Sequence, residues 1–243
     1  MPPRTRLLLT AAAIALVWQL PYGRMALYPL TLLATYVHEM GHGLTALLLG
    51  HQFDEMRLHA DGSGMALWQG HPGGLETALI AAGGLLGPTL AGVGLLLLSG
   101  ATRLARMLLM WLALLLLVSM ALWSRNIFGL GFLLAWAMVL LLGARYLPAA
   151  SAAFTLQLIA ITLCLSWFTD LDYMFSSQAV VDGVVHLSDS AVIAQALLLP
   201  YWFWGGLVAL VSMLLLLWGV AVASRTPAGP KVTLTPHGTL PPV

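Results

Sequence analysis

The sequence predicts an all-α polytopic membrane protein, and its composition and long apolar runs support that prediction. Apolar residues make up 60% of the 243 residues, and charged residues make up only 8%. The mean hydropathy of +0.92 is too high for a soluble domain, whose surface must be largely polar. We therefore expect the chain to be embedded in a lipid bilayer.

Seven apolar stretches meet or approach the roughly 20 residues that a helix needs to cross a bilayer. They cover residues 7–20, 27–49, 75–98, 104–123, 127–147, 152–168 and 191–222. The first is short enough to be interfacial, and Pro200 should kink or split the last. No convincing signal-peptide cleavage site precedes Pro21, so the first stretch is expected to be retained. We expect six or seven transmembrane helices, with a tight turn at residues 124–126.

Two polar stretches are expected to form loops between these helices. In residues 50–74, apolar and charged residues alternate loosely around the turn signal Asp61-Gly62-Ser63-Gly64, which predicts a short membrane-adjacent hairpin over 52–68, after the second helix. Residues 170–189 hold four of the six aspartates. We expect a single transmembrane domain over 1–224 and a flexible polar tail over 225–243.

Charge and cysteine content exclude two classes of protein. The formal net charge is +1 and the ten basic residues are scattered, so no nucleic-acid partner is expected. Cys164 is the only cysteine and lies in an apolar stretch. A disulfide framework is therefore excluded, and Cys164 should act as a small buried apolar residue.

The most informative motif is His38-Glu39-Met40-Gly41-His42 in the second apolar stretch. Histidines four residues apart lie on one face of a helix, so both can bind one zinc ion while Glu39 serves as general base. Purely structural histidines would leave Glu39 unexplained in apolar surroundings, where ionisable groups are costly. Two ligands on one helix face cannot take opposite axial positions of a haem iron. The motif therefore predicts a metallohydrolase zinc centre inside the bilayer.

A catalytic zinc ion needs a third protein ligand, and the sequence offers several. Asp189 directly precedes the last apolar stretch, and Asp182 precedes Gly183. Each aspartate could instead be a helix cap or a solvated loop charge. Chemistry alone favours Asp189 and Asp182 equally; the remaining candidates are Asp170, Asp172 and His186.

Together these motifs resemble the site-2 proteases, the zinc intramembrane metalloproteases. The resemblance rests on the H-E-x-G-H motif and on three shorter stretches, and it is closest to the short, single-domain bacterial branch. These stretches are His59-Ala60-Asp61-Gly62-Ser63-Gly64, Gly84-Leu85-Leu86-Gly87-Pro88 and Leu187-Ser188-Asp189-Ser190-Ala191.

The resemblance implies that His38, His42 and a distal aspartate bind Zn²⁺ and that Glu39 activates water for peptide-bond hydrolysis. Similarity to the short branch favours Asp189. Val181-Asp182-Gly183 echoes the Leu-Asp-Gly motif of the better-known members, but it lacks the preceding Asn and Pro. The implied substrate is a membrane-embedded protein helix, and the implied location is the bacterial inner (plasma) membrane.

Two other functions use the same residues. A membrane metal-ion transporter could use the histidines and aspartates as a transit site, but transit does not explain a glutamate beside a histidine in this order. A non-catalytic membrane scaffold could retain a bound zinc ion. Substitution of Glu39 by Gln separates the three functions, because only proteolysis requires the general base.

Overall fold

The chain forms ten helices and two β-hairpins within the residues that the structure describes. The computed structural model describes residues 3–99 and 104–224. Its helices are α1 (Pro3–Gln19), α2 (Gly23–Leu48), α3 (Gly74–Ser99), α4 (Ala105–Trp123), α5 (Ile127–Tyr146), α6 (Ala149–Cys164), α7 (Ser166–Thr169), α8 (Leu171–Met174), α9 (Asp189–Leu197) and α10 (Tyr201–Ala223). The strands are β1 (Gln52–Leu58), β2 (Gly64–Gln69), β3 (Gln178–Val181) and β4 (Val184–Leu187). The expected tail over 225–243 lies outside the described residues.

The all-α polytopic prediction is confirmed, but the expected number of spans is too high. Among the described residues, α3, α4, α5 and α10 are long and apolar enough to cross a membrane. The pair α1 and α2 gives a fifth candidate span, with a 119° bend at the break between them. Helix α6 has only 16 residues, because the chain breaks into the short helices α7 and α8 after Cys164.

The expected breaks at Pro200 and at residues 124–126 are both confirmed. Helix α9 ends at Leu197, and Leu198 follows with a left-handed backbone (φ 75°). Pro200 then precedes the first residue of α10, where its fixed φ is favourable and no backbone N–H is lost from a helix. The turn at Ser124 separates α4 from α5.

Helices α2 and α3 approach closely because glycines face each other. A Cβ atom on Gly41 would lie 2.2 Å from the carbonyl oxygen of Gly83, and a Cβ atom on Gly87 would lie 3.3 Å from Cα of Gly41. Small residues of this kind allow helix backbones to pack closely in membranes. The close packing brings the motif of α2 against the middle of α3.

The main core lies between α4, α5 and α6, where Leu109, Leu133 and Leu156 are fully buried. Cys164 is also fully buried, as expected. Many leucines on the outer faces of α4 and α5 are exposed, which fits contact with lipid. The helices therefore surround a packed interior and present an apolar outer surface.

The predicted hairpin after α2 is confirmed, and the outer edge of β1 is covered by another part of the chain. Strands β1 and β2 pair antiparallel from Gln52 with Gln69 to Leu58 with Gly64. On the outer edge of β1, Ser124 pairs with Met56, and the Asn126 side chain accepts a hydrogen bond from the Leu58 N–H and donates one to the Leu58 carbonyl. The α4–α5 turn therefore covers the edge of β1.

The second polar stretch contains a hairpin that we did not expect. Strands β3 and β4 pair antiparallel and are joined by Asp182 and Gly183, with φ angles of 49° and 77°. Positive φ at both central residues is typical of the tightest hairpin turns, for which Asp-Gly is a preferred pair.

Candidate metal centre

His38 and His42 lie on one face of α2, as the spacing predicts. Their Nε2 atoms are 3.0 Å apart. The Nδ1 atom of His42 is 2.9 Å from the carbonyl oxygen of Ile80 on α3, and it must donate because that oxygen can only accept. The Nε2 atom of neutral His42 therefore carries a free lone pair, which is the form that binds metals.

Asp189 brings a carboxylate to these two histidines from the other end of the sequence. Its Oδ2 atom is 2.9 Å from Nε2 of His38 and 3.3 Å from Nε2 of His42. Ser188, rather than Asp189, caps α9, because its hydroxyl accepts a hydrogen bond from the N–H of Ala191. Asp189 is therefore free to face α2.

The electrostatic surroundings favour the ionised form of Asp189. Burial alone would raise the pKa of this carboxyl group, but the positive charge of His42 and His38, when these rings are protonated, outweighs burial and holds the pKa below its ordinary value. Ionised carboxylate is the form that binds a metal ion.

The three groups fit a metal ion. Oδ2 of Asp189 is buried, and the nitrogen nearest to it is Nε2 of His38, at 2.9 Å. Oδ2 also lies 3.3 Å from Nε2 of His42, whose lone pair is free because this ring donates its hydrogen bond through Nδ1. Lone pairs converging within about 3 Å repel unless a cation or a proton lies between them. All three atoms lie close enough together to bind one ion, and two His with one carboxylate is a known zinc ligand set.

Glu39 lies beside this group and faces a cavity. Its side chain is buried, with a relative exposure of 6%. A cavity of about 340 Å³ is lined by all four of these ionisable residues, by the outer edge of β2, and by parts of α3 and β4. A Cβ atom on Gly64 would lie 2.8 Å from Oε1 of Glu39, so only glycine at the start of β2 leaves room for this carboxylate.

The structure separates the other candidate ligands from the group. Asp182 lies at the exposed tip of the β3–β4 hairpin, where its Oδ1 atom is 3.7 Å from Nδ1 of His59. His186 lines the same cavity as Glu39 but is not part of the group of three. Asp172 is exposed on α8.

Asp170 borders a second cavity, of about 220 Å³, which Glu39 and His38 also line. Burial raises the pKa of Asp170 to about 6. Its carboxylate accepts a hydrogen bond from the hydroxyl of Thr169 at 3.3 Å. Asp170 is therefore a second acidic group close to the centre, although it does not join the metal group.

Sequence reasoning missed Tyr173. Its hydroxyl oxygen accepts a hydrogen bond from the backbone N–H of Asp189 at 3.1 Å. Its ring meets the His38 ring edge-on, with 6.1 Å between centroids. Tyr173 thereby links two members of the group. A tyrosine in a polar loop carries no motif, so no sequence signal could have identified it.

The match to a known protein family agrees with this geometry. A family model described as Peptidase M50B-like matches residues 8–219. The chain belongs to the Peptidase M50B-like family. The match covers most of the chain and includes α2, α3, both hairpins and α9.

Membership of the M50B-like family identifies the chain as a metalloendopeptidase, and its candidate spans identify it as an integral membrane protein. The resemblance to the site-2 proteases is therefore confirmed at the level of the family. No curated protein and no solved structure shows significant similarity to the chain.

Proposed function

We propose that the chain is a zinc-dependent intramembrane metalloprotease of the bacterial inner membrane, with one metallopeptidase domain over residues 1–224. In this proposal His38, His42 and Asp189 hold Zn²⁺, and Glu39 is the general base. The observation that carries the proposal is the position of Glu39 in the same cavity as the group of three. The substrate would be a membrane-embedded protein helix.

The chemistry of hydrolysis assigns a role to each residue. A bound zinc ion supplies Lewis acidity, which lowers the pKa of water and polarises the scissile carbonyl. The Glu39 carboxylate accepts a proton from the attacking water and later delivers it to the leaving amine as the C–N bond breaks. Tyr173 and the carbonyl of Ile80 orient Asp189 and His42 through their hydrogen bonds.

The outer edge of β2 is suited to hold the substrate in an extended form. A helical substrate hides its amide groups in its own hydrogen bonds, so it must unwind before attack. The edge of β1 is covered by Ser124 and Asn126, whereas the β2 residues Met65, Ala66 and Leu67 line the cavity beside Glu39. Strand addition to this edge would carry the scissile bond past the centre.

Substitution of Glu39 by Gln tests the catalytic role. Glu39→Gln should leave zinc bound and the fold intact, and it should lower turnover of a reporter helix by at least about 100-fold, because the base is lost. Glu55→Gln is the matched control, because Glu55 lies on β1 outside the cavity and pairs with Arg57. Unchanged proteolysis by Glu39→Gln would refute the proposal. Metal transport that survives in this variant, without proteolysis in the parent chain, would favour a transporter.

The metal content of purified variants tests the ligands separately from activity. The parent chain should hold about one zinc ion, and alanine at His38, His42 or Asp189 should abolish tight binding. Asp182→Ala is the control, because this carboxylate is exposed at the hairpin tip. If zinc is kept in Asp189→Ala and lost in Asp182→Ala, the assignment of the third ligand is reversed.

A further inference from the structure

A large apolar cavity lies behind the helix that carries the two histidines. It has a volume of about 520 Å³, is lined mainly by α2, α3, α4 and α6, and shares no lining residue with the two cavities beside Glu39. The residues that α2 contributes are Leu33, Tyr36, Val37, Met40 and Leu44. Their spacing forms one stripe, on the face of α2 opposite to His38, Glu39 and His42. The helix itself therefore separates this cavity from the candidate metal centre.

The cavity is long and runs parallel to the helices. Helix α4 contributes a stripe with the same spacing, which consists of Leu112, Leu115, Leu116, Ser119 and Trp123. Each stripe extends over about 16 Å, at a rise of about 1.5 Å per residue. Half of the hydrocarbon core of a bilayer is about 15 Å thick. The cavity therefore has the length of the layer that the acyl chains of one leaflet fill.

A buried hydrogen bond joins the two helices that border the cavity. Ser119 on α4 donates its hydroxyl proton to the carbonyl of Leu116 at 3.0 Å, so it accepts the hydrogen bond from the Tyr36 hydroxyl on α2, at 2.7 Å. Among the described residues, α2 and α4 are otherwise separated, whereas both pack against α6. The pair of hydroxyl groups holds α2 and α4 at a fixed distance, and the space between them does not collapse.

The cavity opens to the apolar outer surface of the protein. Leu44 on α2, Leu98 on α3 and Leu115 on α4 line it and are also exposed. They continue the outer surface of the candidate spans, which lies in lipid. Packed interiors hold few voids larger than a water molecule, and apolar cavities stay dry. A space of this size, lined by leucines and open to lipid, is therefore suited to an apolar molecule from the bilayer.

We propose that this cavity binds one acyl chain of a membrane phospholipid, with the headgroup outside the cavity. The volume lies within the range of about 300–1,000 Å³ that is usual for small-molecule sites. Within the described residues, the lining holds no charged side chain, so a free fatty acid would find no partner for its carboxylate. The N–H of Trp123 already donates to the carbonyl of Phe53 at 3.1 Å. The walls therefore offer a site for a hydrocarbon chain and none for a charged headgroup.

The bound chain would contact the motif helix directly. Met40 lies between the two histidines of the motif, and Val37 directly precedes His38. A chain packed on both side chains would support α2 from behind without reaching Glu39. This site takes part in no step of hydrolysis, and the inference does not rest on the proposed function.

Photocrosslinking tests the site on the full-length protein. The protein is reconstituted in vesicles of phosphatidylethanolamine and phosphatidylglycerol that contain a phosphatidylcholine with a diazirine in the middle of one acyl chain. After irradiation, peptide mass spectrometry should find adducts at Met40, which is buried, and at Met138, which is exposed on the outer face of α5. The adduct at Met138 is the internal reference for ordinary contact with lipid.

A larger side chain in the cavity should exclude the lipid. In Leu112→Trp, the Met40 adduct should fall at least about tenfold relative to that at Met138, because excluding two methylene groups already costs this much affinity. Leu114→Trp is the matched control, because Leu114 is exposed on the same helix and lies outside the lining. Ala91→Phe fills the cavity from α3 and decides the test if Leu112→Trp does not fold.

Three results would overturn the proposal. The first is a parent chain without an adduct at Met40. The second is an adduct that stays unchanged in a folded filling variant, or that falls equally in Leu114→Trp. The third is labelling of Met40 by the diazirine analogue of free palmitic acid but not by the phosphatidylcholine, which would assign the cavity to a free fatty acid.

Discussion

Replacement of Gly84 by Ala should disturb the metal centre through His42. A Cβ atom at Gly84 would lie 2.2 Å from both Cε1 and Nε2 of His42, whereas ordinary contacts begin at 3.4 Å. The imidazole would therefore have to move by about 1 Å, several times the tolerance of about 0.2 Å for a metal–ligand bond. That movement would also break the hydrogen bond from the ring to the carbonyl of Ile80, which lies one turn before Gly84 on the same helix.

The expected effect is a large loss of zinc affinity. Disturbing a group that only orients a ligand costs about 10- to 100-fold, so displacing the ligand itself should cost at least about 100-fold. This corresponds to about 2.8 kcal/mol of binding free energy. Competition with a chelator of known affinity measures the change directly on the purified protein.

Gly94→Ala is the matched control on the same helix. Among the described residues, no atom outside the neighbouring backbone of α3 lies within 4 Å of a Cβ atom placed on Gly94. Both substitutions gain the same helix propensity, about 1 kcal/mol, so the difference between them reports the contact with His42. Zinc affinity equal to that of the parent chain in Gly84→Ala would refute the argument. Thermal unfolding in the presence of chelator should show that Gly84→Ala remains folded.

Three further predictions follow from single contacts. Tyr173→Phe removes the hydrogen bond that Asp189 N–H donates to the hydroxyl, so zinc affinity should fall modestly, by about 1 kcal/mol, in the same chelator assay. Ser188→Ala removes the cap of α9, and thermal unfolding should show a loss of about 1 kcal/mol. Hydrogen bonds from the Ser63 side chain and backbone hold the pKa of Asp61 below its usual value. The ionised Asp61 should therefore stabilise the turn above about pH 4, and this stabilisation should be lost as the pH falls further. NMR titration should detect the change, and Asp61→Asn should abolish it.

The sequence could predict the local part of the candidate site. The spacing of His38 and His42 within one helix places both side chains on one face whatever the rest of the fold does. The turn at residues 61–64 and the break at Pro200 are local in the same sense, because they depend on the backbone preferences of Gly and Pro. These features agree with the structure.

The position of Asp189 depends on contacts that the sequence does not contain. From chemistry alone, Asp182 and Asp189 are equally good candidates for the third ligand, because Asp182 directly precedes a glycine and Asp189 directly precedes the last apolar stretch. The structure distinguishes them: Ser188 caps α9, so the Asp189 side chain is free to approach His38, while Asp182 occupies a left-handed position in a turn. Packing of α9 against α3, with the Cβ position of Gly74 3.1 Å from the Ala196 carbonyl, brings the carboxylate to α2.

The β3–β4 hairpin could have been predicted. Asp182-Gly183 lies between two pairs of valines, and Asp-Gly flanked by β-branched residues is the strongest short hairpin signal. Val181-Asp182-Gly183 resembles a ligand motif, but in the structure Asp182 and Gly183 form the turn of the hairpin. The number of spans was harder to predict, because hydropathy does not reveal the 119° bend before α2 or the early end of α6.

The β3–β4 hairpin, which forms one wall of the cavity beside Glu39, is attached to the fold mainly at one end. The end of the β3–β4 hairpin that leads into Asp189 is fixed by Ser188 and Ser190, whose hydroxyls donate to the carbonyls of Ser176 and Met174 at 2.5 Å and 2.6 Å. The tip has one ion-pair contact among the described residues, between Asp182 and His59. Every residue of β4 is exposed. The hairpin is therefore fixed chiefly at the end that leads into Asp189, where Ser188 and Ser190 keep this carboxylate at the two histidines.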